Sequence, residues 1–194
     1  MTRFLLGFIF ALLLVPVAIW CYFNYGNPPV AVSDAPFPME RLIVKAPLHA
    51  RIDREMPHSV PIDTSEANLD AAAHIYRQSC ATCHGLPGQP SEFAAQMYPR
   101  APQLWKAHRP GVVGVSDDPP GETYWKVENG IRLTGMPAFN KILTETQMWQ
   151  VSLLLANANK PMPASVQGIL QPPLALDVPG TTATTASVTQ QNRK

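Results

Sequence analysis

The chain has 194 residues and a formal net charge of +1, and only 15% of its residues are charged. This balance excludes the strongly basic surface with which proteins bind nucleic acids, so we expect no nucleic-acid partner. The 21 prolines lie mostly outside the middle of the chain. We therefore predict one folded domain over residues 63–160, with two segments before it (1–23 and 24–62) and a tail after it (161–194).

The N-terminal segment carries no charge from Phe4 to Phe23, which is long enough to cross a membrane as a helix. A small-x-small site for signal cleavage occurs only at residues 31–33, well past this stretch. The end of the stretch has the aromatic residues of an interfacial belt, namely Trp20, Tyr22, Phe23 and Tyr25. We predict a single-pass transmembrane anchor rather than a cleaved signal. Arg3, the only charge before the stretch, favours a cytoplasmic N-terminus and an exported domain.

The two segments that flank the predicted domain are not predicted to form helices or strands. Residues 24–62 are rich in proline and show little helical or strand periodicity, which predicts a flexible tether. Residues 161–194 end in PGTTATTASVTQQNRK, a polar stretch of low complexity. Such a composition predicts a disordered tail.

The first helix of the domain is predicted to begin with Asp63 as its N-cap and Glu66 three residues later, as in a capping box. Tyr76 and Cys80 then follow at helical spacing. Gly85 prevents the helix from continuing. The pattern therefore places Cys80 at the C-terminal end of this helix.

The motif Cys80-Ala-Thr-Cys83-His84 is open to three interpretations. A zinc site would need a fourth ligand from the remaining histidines, His49, His58, His74 or His108, and structural zinc sites usually have a second close ligand pair. A redox pair of the thioredoxin type would need alternating strands and helices. Cys-x-x-Cys-His is also the attachment pattern of c-type haem. We predict one covalent haem c, bound through Cys80 and Cys83, with His84 as an iron ligand.

Two further helices complete the predicted domain. One begins near Asp118 and Pro119, where a cap is followed by proline, and ends at Gly130. The other begins with a capping box formed by Thr144 and Gln147. We find no convincing strand pattern between these helices, so the predicted fold class is all-α.

Met136 is the predicted second iron ligand. It lies in LTGMPAFN, where Gly135 leaves room for a backbone to approach a flat ring and Pro137 stiffens the loop. Met97 is the alternative, and Met148 lies on the apolar face of the last helix, as a core residue would. Imidazole and thioether ligands together favour reduced iron and raise its potential.

Other side chains are considered for supporting roles at a haem. Trp105, Trp125 and Tyr98 are interpreted as donors to its propionates or as core residues. A metal-bound histidine usually donates its other N–H to an oxygen atom. We expect a carbonyl group within residues 99–102 to orient His84 in this way.

These motifs, CATCHG followed by YWKVENGIRLTGMPAF and a capped last helix, resemble the class I c-type cytochromes. The resemblance covers about residues 65–158 and is closest to small membrane-anchored bacterial cytochromes with one haem. It implies three to four helices around one covalently attached haem, with the first and last helices crossing. It also implies attachment at Cys80 and Cys83, iron ligation by His84 and Met136, and a haem domain on the periplasmic side of a bacterial inner membrane.

The leading functional hypothesis is a one-electron carrier, not an enzyme, whose partners are redox proteins that donate and accept electrons. An alternative is an electron-relay subunit of a membrane-bound dehydrogenase or oxidase. A third hypothesis, a haem peroxidase or gas sensor, needs an open iron position. Met136 argues against that third hypothesis.

Overall fold

The computed structural model describes residues 1–174. Its elements are, in chain order, α1 (Thr2–Tyr25), α2 (Glu40–Glu55), α3 (Glu66–Ser79), α4 (Ala81–His84), α5 (Glu92–Ala95), β1 (Ala107–Arg109), β2 (Val112–Val113), α6 (Pro120–Asn129), α7 (Glu145–Ala156) and α8 (Ala164–Leu170). The mostly helical architecture confirms the predicted fold class. The short antiparallel hairpin of β1 and β2 was not expected, because its residues lie at the surface and carry no alternating pattern.

The core of the domain forms where α3 packs against α7 and α8. Ala72 and Ala73 of α3 are fully buried, and their small side chains allow the helices to approach closely. Val151 and Leu154 of α7 fill the other side of this contact. The first and last helices of the predicted domain therefore pack together, as the resemblance implies.

The start of α7 agrees with the start predicted from the sequence, whereas the start of α3 differs from its prediction. The capping box of α7 is present: the Thr144 hydroxyl accepts a hydrogen bond from the Gln147 backbone, and the Gln147 side chain accepts one from the Thr144 backbone. The predicted box at Asp63 is wrong, because α3 begins at Glu66 with Ser65 as its N-cap. The Asp63 carboxylate instead accepts hydrogen bonds from Ser65 and Asn68, which places it before the helix.

The apolar N-terminal segment forms α1, none of whose residues is buried. It is the helix of residues 1–174 that is long and apolar enough to cross a membrane. Pro16 lies inside it and removes one backbone hydrogen bond. Its exposed apolar surface requires an apolar environment, which a lipid bilayer provides.

The predicted flexible tether is wrong over its second half, where α2 forms and packs against α6. The sequence does not show the apolar periodicity of a helix here, because Pro47 lies inside α2 and most of its side chains are exposed. Tertiary contacts stabilise it instead. Ile52 is 1% exposed, and burying such a side chain contributes about 1.5–3 kcal/mol.

Polar contacts fix the end of α2 on α6. The indole N–H of Trp125 donates a hydrogen bond of 3.0 Å to Glu55, and the guanidinium of Arg51 lies over the same indole ring. The chain after α2 passes so close to α6 that a Cβ atom at Gly121 would overlap the carbonyl oxygen of Pro57. Residues 40–57 are thus part of the folded domain.

The predicted disordered tail is also wrong in its first part, because residues 164–170 form α8. Val166 and Leu170 are buried against α3. The guanidinium of Arg77 donates hydrogen bonds to the carbonyl oxygens of Ile169 and Pro173 and so holds the chain after the helix. The rest of the predicted tail, 175–194, lies outside the described residues.

Candidate functional site

The Cys-x-x-Cys-His motif forms one tight turn at the end of α3. Cys80 ends α3, and its carbonyl oxygen accepts hydrogen bonds from the backbone N–H groups of Cys83 (3.1 Å) and His84 (2.9 Å). The buried hydroxyl of Tyr76 donates a hydrogen bond of 2.8 Å to the carbonyl of Gly85. The turn therefore brings Cys80, Cys83 and His84 together and ties them to the core helix.

The ring of His84 is oriented by a backbone carbonyl. Its Nδ1 atom lies 2.8 Å from the carbonyl oxygen of Pro102, and its own carbonyl accepts a hydrogen bond from Leu104. This is the contact expected from residues 99–102. Burial lowers the pKa of His84, and the Pro102 carbonyl opposes this shift only in part. The imidazole is thus held neutral, with Nδ1 as the donor and Nε2 left as its second nitrogen.

Gln103 links the turn to its surroundings, a role that no sequence motif indicates. Its side-chain nitrogen donates to the carbonyl of Cys83 at 3.3 Å. Its side-chain oxygen accepts a hydrogen bond of 2.6 Å from the backbone of Ser91. One amide side chain therefore connects the motif, the chain before α5 and the segment that orients His84.

The two thiols do not have the properties of a redox pair or a zinc site. Burial, with a contribution from neighbouring Cys83, raises the pKa of Cys80 to about 12, whereas reactive thiols have lowered pKa values. Within residues 1–174, no group of three or more His, Cys, Asp and Glu side chains is arranged to hold a metal ion. His74 and His108, two of the four histidines considered as a fourth ligand, are exposed.

Met136 lies in a loop that is closed by its own hydrogen bonds. The Thr134 hydroxyl donates to the carbonyl of Ile131 (2.7 Å) and accepts from the backbone of Met136 (3.1 Å). The Ile131 backbone in turn donates to the carbonyl of Met136. Leu133, at the tip, has a φ of 62°, a left-handed conformation that is costly for a residue with a side chain.

Gly130 shapes this loop more than Gly135 does. Gly130 has a φ of 65°, and a Cβ atom there would lie 2.7–2.9 Å from backbone atoms of residues 136–138. A Cβ atom at Gly135 would overlap only the terminal methyl group of Met97. The sequence marked Gly130 as a helix end, and its tight contact with the Met136 loop is an additional role.

Met97 and Met148 have different surroundings from each other. Met97 is half-buried and its methyl group lies against Gly135, next to Met136. Met148 is 4% exposed and belongs to the core, as predicted. Met136 and Met97 are therefore the two thioethers at this loop.

The hydrophobic core is divided into two clusters, one beside Cys80 and one beside Met136. Cys80 packs against the cluster of α3, α7 and α8. Met136 packs against a second cluster, in which Tyr124 stacks on Trp149 with ring centroids 4.3 Å apart. Large apolar side chains remain exposed near both methionines, namely Phe93 of α5 (52%), shortly before Met97, and Leu133 of the Met136 loop (80%).

The indole N–H groups distinguish the aromatic residues considered for a haem. Trp125 donates to Glu55 and is not available for another acceptor. Trp105 packs edge-on against Tyr76, and its Nε1 atom is buried; its contact with the Tyr76 hydroxyl does not have the geometry of a hydrogen bond. A buried donor of this kind needs an acceptor. The site thus has two thiols, a neutral imidazole and a thioether. Exposed apolar side chains and a buried indole N–H without an acceptor among the described residues lie near them. These groups fit a haem c.

The family model described as cytochrome c oxidase, cbb3-type, subunit III matches residues 67–153. The match includes α3, the Cys-x-x-Cys-His turn, the Met136 loop and most of α7. No curated protein sequence matches the chain. Residues 67–153 are thus a c-type cytochrome domain, a class defined by covalently attached haem.

Proposed function

We propose that this chain, as a membrane-anchored protein with a c-type cytochrome domain, is a one-electron carrier. The family match supports electron transfer through haem c. The orientation of His84 by Pro102 supports the specific site, because it leaves one imidazole nitrogen free for iron. Haem iron with imidazole and thioether ligands changes between ferric and ferrous states one electron at a time.

Each residue of the proposed site has a separate task. Cys80 and Cys83 form the thioether links, and the rigid turn at the end of α3 sets their spacing. His84 and Met136 would hold the iron. With two protein ligands the iron would have no open position for a substrate, which favours a carrier over a peroxidase or a gas sensor.

The proposed location is the outer face of the bacterial inner membrane. α1 is the membrane anchor, and Arg3 is the only charge before its apolar stretch. This arrangement favours a cytoplasmic N-terminus and a periplasmic domain. Protease added to spheroplasts should cleave the haem domain without lysis, and protection until lysis would contradict this orientation.

A relay subunit of a larger oxidase or dehydrogenase is the second candidate. The docking of α2 on α6 favours it, because the free chain between α1 and the folded domain is only residues 26–39. A short connection suits a fixed position better than a long-range shuttle. Purification from gently solubilised membranes should distinguish the two: a relay subunit copurifies in constant proportion with its complex.

The central experiment is to express the full chain with the cytochrome c maturation system and to stain denaturing gels for haem. Haem should remain on the wild-type chain and on Cys21→Ser, the matched control, and should be lost from Cys80→Ser combined with Cys83→Ser. The ferric charge-transfer band of methionine ligation should disappear in Met136→Leu and persist in Met148→Leu.

Three outcomes would contradict parts of this proposal. If the band survives in Met136→Leu and is lost in Met97→Leu, the axial ligand is Met97. Rapid binding of carbon monoxide by the ferrous wild type would indicate an open or weakly held position. Absence of covalent haem would overturn the proposed function.

A further inference from the structure

The first half of α2 exposes an apolar face on the side away from the domain. Leu42 and Ile43 are 61% and 65% exposed, and Ala46 and Ala50 continue the same face at four-residue spacing. The opposite side of the helix carries Ile52, which is buried in the contact with the domain. One helix therefore has two apolar sides, of which the domain covers only one.

This exposed face lies next to the end of the membrane helix. Residues 26–39 join α1 to α2, and the ring of Phe37 lies 6.3 Å from the ring of Tyr22 in α1. Tyr22 belongs to the aromatic end of α1, where such residues mark the boundary between lipid and water. The start of α2 is thus at the level of the membrane surface.

The side chains around the apolar face have the character of a surface-bound helix. Met39, just before α2, is 66% exposed. Arg41 and Lys45 are exposed but lie nearer to the side of Ile52 than to the apolar face. The apolar face thus carries no charge in this half of the helix, which suits the boundary between head groups and acyl chains.

We propose that residues 39–46 lie in the head-group region of the bilayer, with Leu42 and Ile43 inserted at the boundary of the acyl chains. The other side of α2 holds the haem domain through Ile52, Glu55 and Trp125. α2 then connects the domain rigidly to the bilayer. As a consequence, the α6 side of the domain faces the membrane. This inference rests on the membrane anchoring by α1 and does not depend on which residues ligate iron.

The test places a fluorophore at single positions of the full haem-loaded chain in vesicles of phosphatidylcholine and phosphatidylglycerol. The background is Cys21→Ser, because Cys80 and Cys83 are occupied by haem in the proposed protein. A nitrobenzoxadiazole label is attached at Ile43→Cys or Ala46→Cys, and at His74→Cys as an exposed control on α3. For each label, the quenching by brominated lipid is divided by the quenching by aqueous iodide. This ratio is used because haem reduces the fluorescence of every label and affects both measurements alike.

Labels at positions 43 and 46 should be quenched by brominated lipid and be about fivefold less accessible to iodide than the label at position 74. Equal iodide access at positions 43 and 74 would overturn the proposal. Protection of position 43 from both quenchers would also overturn it, because a protein surface, either a second copy or a partner, would then cover the face.

A second variant separates membrane contact from folding of the helix. Leu42→Ser combined with Ile43→Ser should move the label at position 46 into water, whereas Val60→Ser, an exposed apolar residue outside α2, should not. The NMR signal of the Trp125 indole N–H should be unchanged in the double variant, which shows that α2 remains docked. A chain without covalent haem fails the haem stain, so failure of the proposed function is recognised separately.

Discussion

The carbonyl oxygen of Pro102 lies 2.8 Å from Nδ1 of His84, so a segment eighteen residues away in the chain determines how the imidazole is turned. This contact has an effect beyond geometry. A carbonyl that accepts the Nδ1 proton fixes the tautomer and makes Nε2 a better electron donor. In the proposed haem site, this contact would orient His84 for iron before any other ligand is in place.

The first prediction concerns the support of this contact by Gln103. In the reduced haem protein, the Nδ1 proton of His84 should exchange slowly with solvent, because it is hydrogen-bonded and half-buried. Gln103→Ala removes the hydrogen bonds to the Cys83 and Ser91 backbones and should speed this exchange about tenfold or more. NMR measures the exchange, with exposed Gln96→Ala as control. Equal exchange in both variants would contradict the role of Gln103.

The second prediction compares two glycines near Met136. Gly130→Ala introduces a side chain at a φ of 65° and against backbone atoms, so the loop must move. We expect loss of the methionine charge-transfer band with haem still attached. Gly135→Ala meets only the flexible end of Met97 and should keep the band. The opposite order of effects would mean that Gly135 approaches the haem as closely as the sequence suggested.

The third prediction concerns the hydroxyl of Thr134. Thr134→Val keeps the shape of the side chain but removes both hydrogen bonds that close the Met136 loop. Loss of these bonds should weaken iron ligation by about 1 kcal/mol, seen as a roughly fivefold tighter binding of added imidazole to the ferric protein. Thr134→Ser should restore the wild-type affinity. Failure of serine to do so would assign the effect to packing.

The fourth prediction tests α8 as part of the folded domain. Leu170 is 2% exposed, and Leu170→Ala should lower the free energy of unfolding by about 2–5 kcal/mol. Gly168→Ala, on the same helix, places its new methyl group in open space and should raise stability by about 0.5–1 kcal/mol. Denaturant unfolding of the haem-loaded protein measures both. A Leu170→Ala protein as stable as wild type would contradict the docking of α8.

The fifth prediction is a pH dependence at the contact between α2 and α6. Hydrogen bonds from Arg51, and then from Trp125, lower the pKa of Glu55 from its ordinary value of 4.5. A carboxyl group with a lowered pKa stabilises the folded form above 4.5, and this contribution is lost as the pH falls through the lower, folded-state value. The protection factors of the α2 amides, which are exchange rates corrected for the intrinsic effect of pH, should therefore fall as the solution is acidified below that range.

Glu55→Gln is the matched variant for this titration. The amide oxygen can still accept from Trp125 but cannot pair as an anion with Arg51. Protection factors in α2 should be lower than in wild type at neutral pH and should change less on acidification. A wild-type profile that stays flat below the ordinary pKa would contradict the role assigned to Glu55.

The parts of the fold that follow from local pattern could be predicted from the sequence. The Thr144 capping box, the end of α3 at Cys80 and the burial of Met148 each depend on neighbouring residues in the chain. The carbonyl that orients His84 was also expected, because the chemistry of a metal-bound histidine requires an acceptor. The ligand set itself stays a prediction until the haem experiments are done.

The parts that failed depend on contacts between distant residues. α2 is stabilised by the hydrogen bond from Trp125 to Glu55, seventy residues earlier in the chain. A contact over this distance cannot be predicted from the periodicity of the sequence. α8 is stabilised because Leu170 is buried against the core and because Arg77 donates to the carbonyls of Ile169, in its last turn, and Pro173, after it. Proline was the basis for predicting a tether over residues 24–62, and polar composition of low complexity was the basis for predicting a disordered tail. Pro47 lies inside α2, and Pro163 caps α8, so here proline accompanies helices that the domain stabilises.

The short connection of residues 26–39 also determines how strongly the protein must bind its redox partners. A chain of this length reaches about 20 Å, so the domain stays within a small volume next to its anchor. A partner in the same membrane that comes within this volume meets the domain at a local concentration on the order of millimolar. Weak, short-lived complexes are then sufficient for electron transfer, and rapid release of each partner becomes compatible with efficient encounter.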